Sequence, residues 1–441
     1  MAKDLFTRLL PARPFHWVKG RIFYGWWMVI LGSLVNSIGA GILVHGFTIF
    51  FLPLKNEFQA SSAAISLLYA AARLEGGFEG PLVGYLITKF GPRTMMFAGI
   101  MMTGGGLLLA STMRDYWTFF FVFVFIVYLG FNTGFYHPVS MVVNNWFIRR
   151  RGVAFSLISA TAGLGGMVMA PLLSIIIATY GWRAGMVTGG LMILGINLPA
   201  TFPIRRSPEV MGVYPDDEAP RDPLHRGLDP QRPDVRDEDF SVKEAIRTSA
   251  FWMLTAGISL RLFVTVALIT HFVPILVWRG MSQTTGAYLV SLYALGTIFA
   301  TLTMGWFGDR RSKALICSLG LVPMIFVVFA MTLSPTTWVL YLYPIGLAVA
   351  MGTAAQNWAL IGDFFGRRHY ATVRGLMGVS YGTTSFLSPI YAGVVYDRTG
   401  SYTFVLISLS VILLITVCLF AKLRPPPSKR RSAAPPGRLN S

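Results

Sequence analysis

The sequence predicts an all-α, polytopic membrane protein whose twelve transmembrane helices form two pseudo-symmetric six-helix bundles. Composition gives the first reason: 54% of the 441 residues are hydrophobic and only 13% are charged, against about 25% charged residues in a soluble domain. The second reason is a set of twelve apolar runs, each about as long as a bilayer-crossing helix, which needs roughly 20 residues. The third is that motifs of the first six runs recur in the last six.

The same composition excludes several classes of protein. The chain has too little charge to cover a soluble fold of this size, so a cytosolic enzyme and a disordered protein are excluded. The net charge of +18 does not indicate a nucleic-acid partner, because basic residues in membrane proteins mark loop topology. The chain has no phosphate-binding GxxxxGK[ST] loop, no His-Glu-x-x-His helix and only two cysteines, Cys317 and Cys418. We therefore expect no enzyme, no ATP-driven pump, no metal site and no cofactor.

The order of the runs predicts the domains. Residues 205–246 contain 11 of the 19 acidic residues and six prolines with almost no apolar run, which is typical of a polar linker. The domains are then an N-terminal bundle (1–204), the linker (205–246), a C-terminal bundle (247–424) and a basic tail (425–441). The predicted helix cores are residues 24–52, 61–88, 94–113, 116–142, 152–178, 183–204, 250–278, 283–307, 314–333, 337–363, 369–396 and 402–422.

Loop charges predict the orientation. The N-terminus, the even-numbered loops, the linker and the tail together carry 30 Lys and Arg residues, whereas the odd-numbered loops carry five. Positive loops stay in the cytoplasm. We therefore expect a multi-pass protein of the cell (inner) membrane with both termini in the cytoplasm.

A repeated loop motif relates the two halves. Gly84 is followed by Lys89 and Arg93 after the second run, and Gly305 by Asp309 and Arg310 after the eighth. Both stretches resemble the cytoplasmic loop motif of the major facilitator superfamily, Gly-x-Leu-x-Asp-Arg-x-Gly-x-Arg. The resemblance implies alternating access between two bundles, with the cytoplasmic gate at Gly84, Lys89, Arg93, Gly305, Asp309 and Arg310. Thr88 replaces the acid of the first copy, so we expect a weaker cytoplasmic latch on that side.

Two further stretches resemble the monocarboxylate porters of that superfamily and the related oxalate/formate exchangers. One is residues 24–27, Tyr-Gly-Trp-Trp, and the other is residues 146–154, Trp-Phe-Ile-Arg-Arg-Arg-Gly-Val-Ala. The resemblance implies a monomeric secondary transporter of small organic anions, foremost monocarboxylates, by proton symport or by exchange with a counter-anion. We expect the protein to be embedded in the lipid bilayer and to bind no nucleic acid. A carrier of a neutral or cationic solute, and a non-transporting sensor with a transporter fold, remain the alternatives.

Arg261 is the candidate anchor for the substrate. A charge at the centre of a bilayer costs about 2.5–3.5 kcal/mol, so it normally faces a cavity or a partner. Arg261 lies about 11 residues into the seventh run, or roughly 16 Å at 1.5 Å per residue, close to the midplane. Its guanidinium could bind a carboxylate with two parallel hydrogen bonds. The alternative is a structural pair with a glutamate of the second run. Known monocarboxylate porters have their substrate arginine in span 8, where this chain has none, so only the role is carried over.

Three residues are candidates for proton coupling. Glu75 and Glu79 are four residues apart on one helix face, and two like charges in a low dielectric favour protonation of one of them. The alternative is a fixed cluster of ion pairs with Arg73 or Arg261. His271, ten residues after Arg261, could relay protons or serve as a hydrogen-bonded wall residue.

Other polar residues are assigned to the cavity by their depth in the runs. Each could contact the substrate or form a hydrogen bond between helices. The sequence favours Asn36, Asn132, Tyr136 and Tyr381, followed by Thr161 and Tyr293. His45 and His137 rank below His271 as candidate proton relays.

Overall fold

The computed structural model describes residues 23–147, 151–214, 240–308, 310–333, 337–366 and 370–426. The described residues are almost entirely helical. Nine of their helices are long and apolar enough to cross a membrane, and one of these, Leu157–Thr201, contains two spans. The chain turns within it at Gly181, whose φ of 83° lies in the left-handed region. Span 2 begins with the shorter apolar helix Ser62–Ala72, and the more polar span 11 completes a twelve-helix fold.

The first six spans occupy residues 24–201, and several contain breaks. Span 1 is interrupted by a π-helical turn, Gly41–His45, and span 4 contains two such turns. Spans 1 to 4 comprise Tyr24–Ala40 with Gly41–His45 and Phe47–Glu57, then Ser62–Phe90, then Pro92–Ala110, then Tyr116–Val122, Phe123–Tyr128, Leu129–Phe131, Asn132–Tyr136 and His137–Trp146. Spans 5 and 6 comprise Arg151–Met192, Ile193–Asn197 and Leu198–Thr201.

The last six spans repeat this plan from residue 249. Span 7 is broken at His271 and span 10 at Thr353. The helices of spans 7 to 12 are Ser249–Thr270 and Phe272–Trp278, Gln283–Gly308, Lys313–Leu333, Thr337–Gly352 and Ala354–Phe365, Tyr370–Thr399, and Thr403–Lys422. Two short helices, Pro208–Met211 and Val242–Ile246, lie at the two ends of the predicted linker, whose residues 215–239 are outside the described residues.

The two bundles meet along two pairs of helices. Span 2 packs along span 11, and span 5 packs along span 8. We call the end of the molecule that carries residues 58–61, 111–115, 279–282 and 400–402 the odd-loop end. The opposite end, which carries Phe23 and Pro426, is the even-loop end. Span 7, which carries Arg261 and His271, packs along span 11 and also contacts span 10.

Candidate functional site

The guanidinium of Arg261 is buried against the break in span 10. Only 2% of the residue is exposed. Its Nε donates to Thr353 Oγ1 at 3.1 Å, and its Nη2 donates to the carbonyl oxygens of Ala350 at 3.0 Å and Met351 at 3.4 Å. These carbonyls lie in the last turn of helix Thr337–Gly352, where backbone acceptors lack an intrahelical partner. The arginine therefore satisfies the backbone acceptors exposed by the break.

The described partners of Arg261 are all uncharged. They are a hydroxyl, two carbonyls and the sulfur of Met351. Tyr293 and Cys317 lie close enough to interact with the arginine electrostatically. Among the described residues, no carboxylate lies within 4 Å of this cation. The side chains of Glu75 and Glu79, its predicted partners on span 2, lie outside the described residues. The described surroundings thus solvate the guanidinium but do not neutralise it.

His45 extends this polar region into the opposite bundle. Its ring lies directly beside Gly166 of span 5, and its centroid is 5.8 Å from that of Tyr293 on span 8. The His45 Nδ1 atom is buried and has no described hydrogen-bond partner. Tyr293 of span 8, which lies near Arg261, is thus also beside His45 of span 1. The sequence alone ranks His45 below His271, although the π-helical turn that ends with His45 is a feature often found at functional sites.

The other predicted cavity residues fall into two groups. Asn36 donates from Nδ2 to the carbonyl of Ile158 at 3.2 Å, and Thr161 donates to the same carbonyl at 2.8 Å. The Asn36 bond joins span 1 to span 5, and the Thr161 bond lies within span 5. Asn132 Nδ2, by contrast, is buried with no described partner. Tyr381 packs on the ring of Trp358 at 5.5 Å. The side chain of Tyr136 is outside the described residues.

His271 joins four helices near the odd-loop end. The residue is fully buried. Its Nε2 lies 2.9 Å from Ser66 Oγ of span 2 and 3.0 Å from the Pro389 carbonyl of span 11, while its Nδ1 lies 2.8 Å from the Tyr402 hydroxyl. A carbonyl only accepts, and the Ser66 hydroxyl already donates to Ser62 O at 2.7 Å. Nε2 therefore carries a proton, and a neutral ring accepts from Tyr402 at Nδ1. Protonation of Nδ1 would reverse that last bond, because the ring would then donate to the Tyr402 hydroxyl oxygen.

Further contacts join the bundles at the same end. The backbone N–H of Val273 donates to Thr48 Oγ1 at 3.0 Å, and Gln283 Nε2 donates to the Ile49 carbonyl at 2.9 Å. Asp397 of span 11 accepts from the backbone N–H groups of Ser62 and Ala63 at 2.9 Å each. The odd-loop end is therefore closed by hydrogen bonds between the bundles.

The predicted gate residues at the even-loop end are exposed or half-exposed where the structure describes them. Cations there lie over aromatic rings: Lys89 Nζ is 5.4 Å from the Phe90 centroid, and the guanidinium carbon of Arg310 is 3.6 Å from that of Trp306. The guanidinium of Arg93 lies 5.8 Å from the Phe202 ring. Gly84 and Gly305 lie within spans 2 and 8, and Asp309 is outside the described residues.

The sequence interpretation missed Thr353 and Asp397. Nothing in the sequence marks Thr353, because its role depends on a helix break that places it under Arg261. Asp397 had a signal. Residues 393–400 read Gly-Val-Val-Tyr-Asp-Arg-Thr-Gly and so match the Gly-x-x-x-Asp-Arg-x-Gly pattern of the loop motif, at the opposite end of the molecule.

Comparisons with known proteins agree with this arrangement. The family model described as "Major Facilitator Superfamily" matches residues 29–357 and 262–440. Monocarboxylate transporter 12-B of Danio rerio is 24% identical over 426 residues, covering 88% of this chain and 86% of that protein. The oxalate:formate antiporter of Oxalobacter formigenes is 24% identical over 399 residues, covering 87% and 88%.

Solved structures give the same fold. The D-xylose-proton symporter superimposes with a TM-score of 0.69 at 13% identity, covering 92% of this chain and 99% of that one. A bacterial homolog of the human lysosomal transporter Spinster, in an inward-facing and occupied conformation, gives a TM-score of 0.67 at 17% identity, covering 91% and 97%.

Proposed function

Because the chain belongs to the major facilitator superfamily, a family of membrane transporters, we propose that it carries small organic anions, foremost monocarboxylates, by alternating access. The observation that carries this proposal is that no carboxylate among the described residues lies within 4 Å of the buried guanidinium of Arg261. A buried ion is costly unless an opposite charge and hydrogen bonds replace its hydration. Neutral acceptors supply only the hydrogen bonds at Arg261. A substrate carboxylate would supply the missing charge.

Two further polar residues, one near Arg261 and the other beside it in the opposite bundle, support a small carboxylate as the ligand. His45 and Tyr293 bring two further polar groups to the meeting point of the bundles, and the buried His45 Nδ1 has no described partner. An unsatisfied buried polar atom costs about 1–3 kcal/mol, so a ligand or a water that bonds to it is favoured. A ligand held by Arg261 and His45 would contact both bundles at once, as alternating access requires. The names of the two relatives, a monocarboxylate transporter and an oxalate:formate antiporter, support the same substrate class.

The closed odd-loop end indicates which conformational state of the transport cycle the structure represents. An alternating carrier never opens both ends at once, so a sealed end is found either in an occluded state or in a state open at the other end. With the even-loop end in the cytoplasm, as the loop charges predict, the sealed odd-loop end supports an inward-facing or occluded conformation. Proton symport and anion exchange are both consistent with the site, and Glu75, Glu79 and His271 stay the candidates for the proton in the first case.

The orientation can be checked with reporters fused to the C-terminal tail. We expect a reporter active only in the cytoplasm, such as green fluorescent protein, to be active there, and a periplasm-dependent phosphatase to be inactive. A matched phosphatase fusion after Arg398, in the predicted outer loop, should be active. An active phosphatase at the tail would reverse the assignment of both ends.

The substrate class can be tested by counterflow in proteoliposomes. Vesicles loaded with an unlabelled monocarboxylate such as lactate or formate should transiently accumulate the labelled anion without an ion gradient, because exchange only requires the loaded carrier to reorient. Protein-free vesicles and loading with a neutral sugar are the controls. Accumulation of sugar alone would favour a carrier of neutral solutes. Absence of counterflow for every anion, by a folded protein that still binds one, would favour the sensor.

A further inference from the structure

We propose that Asp397 is the latch of the odd-loop gate: its carboxylate, carried by the C-terminal bundle, caps the first turn of span 2 in the N-terminal bundle. The contact joins two helices that must separate when this end opens, so the latch acts only in the closed state. The inference rests on the alternating-access function proposed above.

The hydrogen bonds of the first turn of span 2 are fully accounted for in the closed state. The first N–H groups of an α-helix have no intrahelical acceptor. Here the N–H of Ser62 donates to Asp397 Oδ1 and that of Ala63 to Oδ2, both at 2.9 Å. The N–H of Ala64 donates to Ser61 Oγ at 3.0 Å, and that of Ile65 begins the regular helix by donating to the Ser61 carbonyl. Two of the first three donors thus depend on the opposite bundle.

Charge strengthens this cap. The N-terminus of a long helix attracts a carboxylate because its peptide dipoles align, and span 2 contains 29 residues. Lys55 of span 1 adds a second attraction from the same bundle: its Nζ lies 3.8 Å from Asp397 Oδ1 and donates to Ser62 Oγ at 2.6 Å. Side chains of Lys55 and Asp397 are 26% and 24% exposed, so this pair is partly shielded from solvent. Asp397 therefore binds spans 1 and 2 together.

A glycine one helical turn earlier permits the contact. A Cβ atom on Gly393 would lie 2.6 Å from the backbone nitrogen of Ala63, which is closer than real side chains come. Any larger residue would push span 11 away from span 2 and lengthen both hydrogen bonds to Asp397. The four-residue spacing of Gly393 and Asp397 puts the smooth surface and the carboxylate on one face of span 11.

Opening of the odd-loop end must break this contact. Span 11 would carry Asp397 away from Ser62 and Ala63, and water would replace the carboxylate. Replacing an N-cap side chain typically changes a helix equilibrium by a factor of about 2 to 30. Because the cap exists only in the closed state, that factor applies to the ratio of closed to open molecules.

The test measures this ratio by double electron–electron resonance on full-length protein in lipid nanodiscs, with Cys317 and Cys418 replaced by alanine. One pair of spin labels, at Thr112 and Ser282, reports the odd-loop end. A second pair, at Thr94 and Arg311, reports the even-loop end. Asp397→Asn keeps one accepting oxygen but loses the negative charge and the second hydrogen bond. We expect it to raise the odd-loop-open fraction about threefold or more and to shorten the even-loop distance in the same molecules. Gly393→Ala should act in the same direction.

Asp115→Asn is the matched control. Asp115 accepts from the N–H of Thr118 at 2.8 Å and caps span 4 within its own bundle. The hydrogen bonds from Thr118 hold the pKa of its carboxyl below the usual range, so it too is a charged cap. This variant should leave both distance distributions unchanged.

Wild-type distributions in Asp397→Asn and Gly393→Ala would overturn the latch, as would an equal opening in Asp115→Asn. Widening at both ends together would also overturn it, because a gate shift must close one end as it opens the other. If the ratio shifts as expected but the protein exchanges no anion in the counterflow experiment, the latch stands and the proposed function fails.

Discussion

Replacement of Arg261 by alanine should remove anion binding. Truncating one member of a buried, hydrogen-bonded charge pair costs about 2–5 kcal/mol, so affinity for a monocarboxylate should fall about thirtyfold or more. Arg261→Lys keeps the charge but loses the planar fork, and we expect weaker binding in a folded protein. Affinity can be measured by ligand-induced thermal shift, and counterflow should decline with it.

The hydrogen bonds of Arg261 to span 10 call for a specific control. Arg261→Ala also strips the Ala350 carbonyl of its charged donor, so a loss of binding could follow from a change in the break of span 10. Thr353→Val removes Thr353 Oγ1, which accepts from Arg261 Nε at 3.1 Å, and leaves the guanidinium in place. A hydrogen bond from a charged donor contributes about 1.5–3 kcal/mol to stability, but its loss leaves in place the charge that attracts the anion. This variant should therefore lose some thermal stability but less than about tenfold in affinity.

The comparison of the two variants separates anchoring from support. If Thr353→Val binds the anion as poorly as Arg261→Ala does, the arginine acts by holding span 10. If Arg261→Ala is monodisperse and binds the anion as the wild type does, Arg261 is not the anchor. The buried charge of Arg261 then no longer supports the proposed function.

The positions of the helices could be predicted from the sequence because a bilayer requires every spanning helix to be apolar. Each span must be apolar for about 20 residues, so the predicted core 283–307 differs by only one residue from helix Gln283–Gly308. The breaks inside spans were less accessible. Thr353 and His271 interrupt apolar runs without any proline or charge at the break itself. Their conformations depend on partners from distant parts of the chain, such as Arg261 for Thr353 and Ser66 for His271.

The sequence predicted which residue types matter at the site better than it predicted what those residues contact. Arg261 was singled out because a charge in an apolar run needs a reason, and the structure indeed buries it. Its bonding to the carbonyls of span 10 could not be predicted, because any backbone acceptor in the fold was an equal candidate. Asp397 was overlooked although the loop motif repeats around it. It stands at the end of a span, where a carboxylate is unremarkable until the opposite helix terminus is known to lie against it.

Proton coupling gives the second large effect: Glu75→Gln or Glu79→Gln should abolish uptake driven by a pH gradient and preserve anion exchange. Glutamine retains the shape of the side chain but carries no titratable proton. A carboxylate entering beside Arg261 adds a negative charge to a low-dielectric region, which favours protonation of a nearby glutamate. Substrate and proton would then load together, and the neutralised site could be occluded. A carrier locked in the neutral form can still reorient with substrate bound, so exchange should continue.

The two modes can be measured in the same proteoliposomes, as uptake under an imposed pH gradient and as counterflow at equal pH. Glu57→Gln is the control, because Glu57 pairs with Arg183 of span 6 at 2.7 Å on the odd-loop surface. Exposed pairs of this kind contribute little, so this variant should keep both modes. Selective loss of gradient-driven uptake in one glutamate variant would identify the proton carrier. Equal loss of both modes in Glu75→Gln and Glu79→Gln would assign the pair to a fixed ion-pair cluster, because removing a structural partner impairs every reorientation of span 2, loaded or empty.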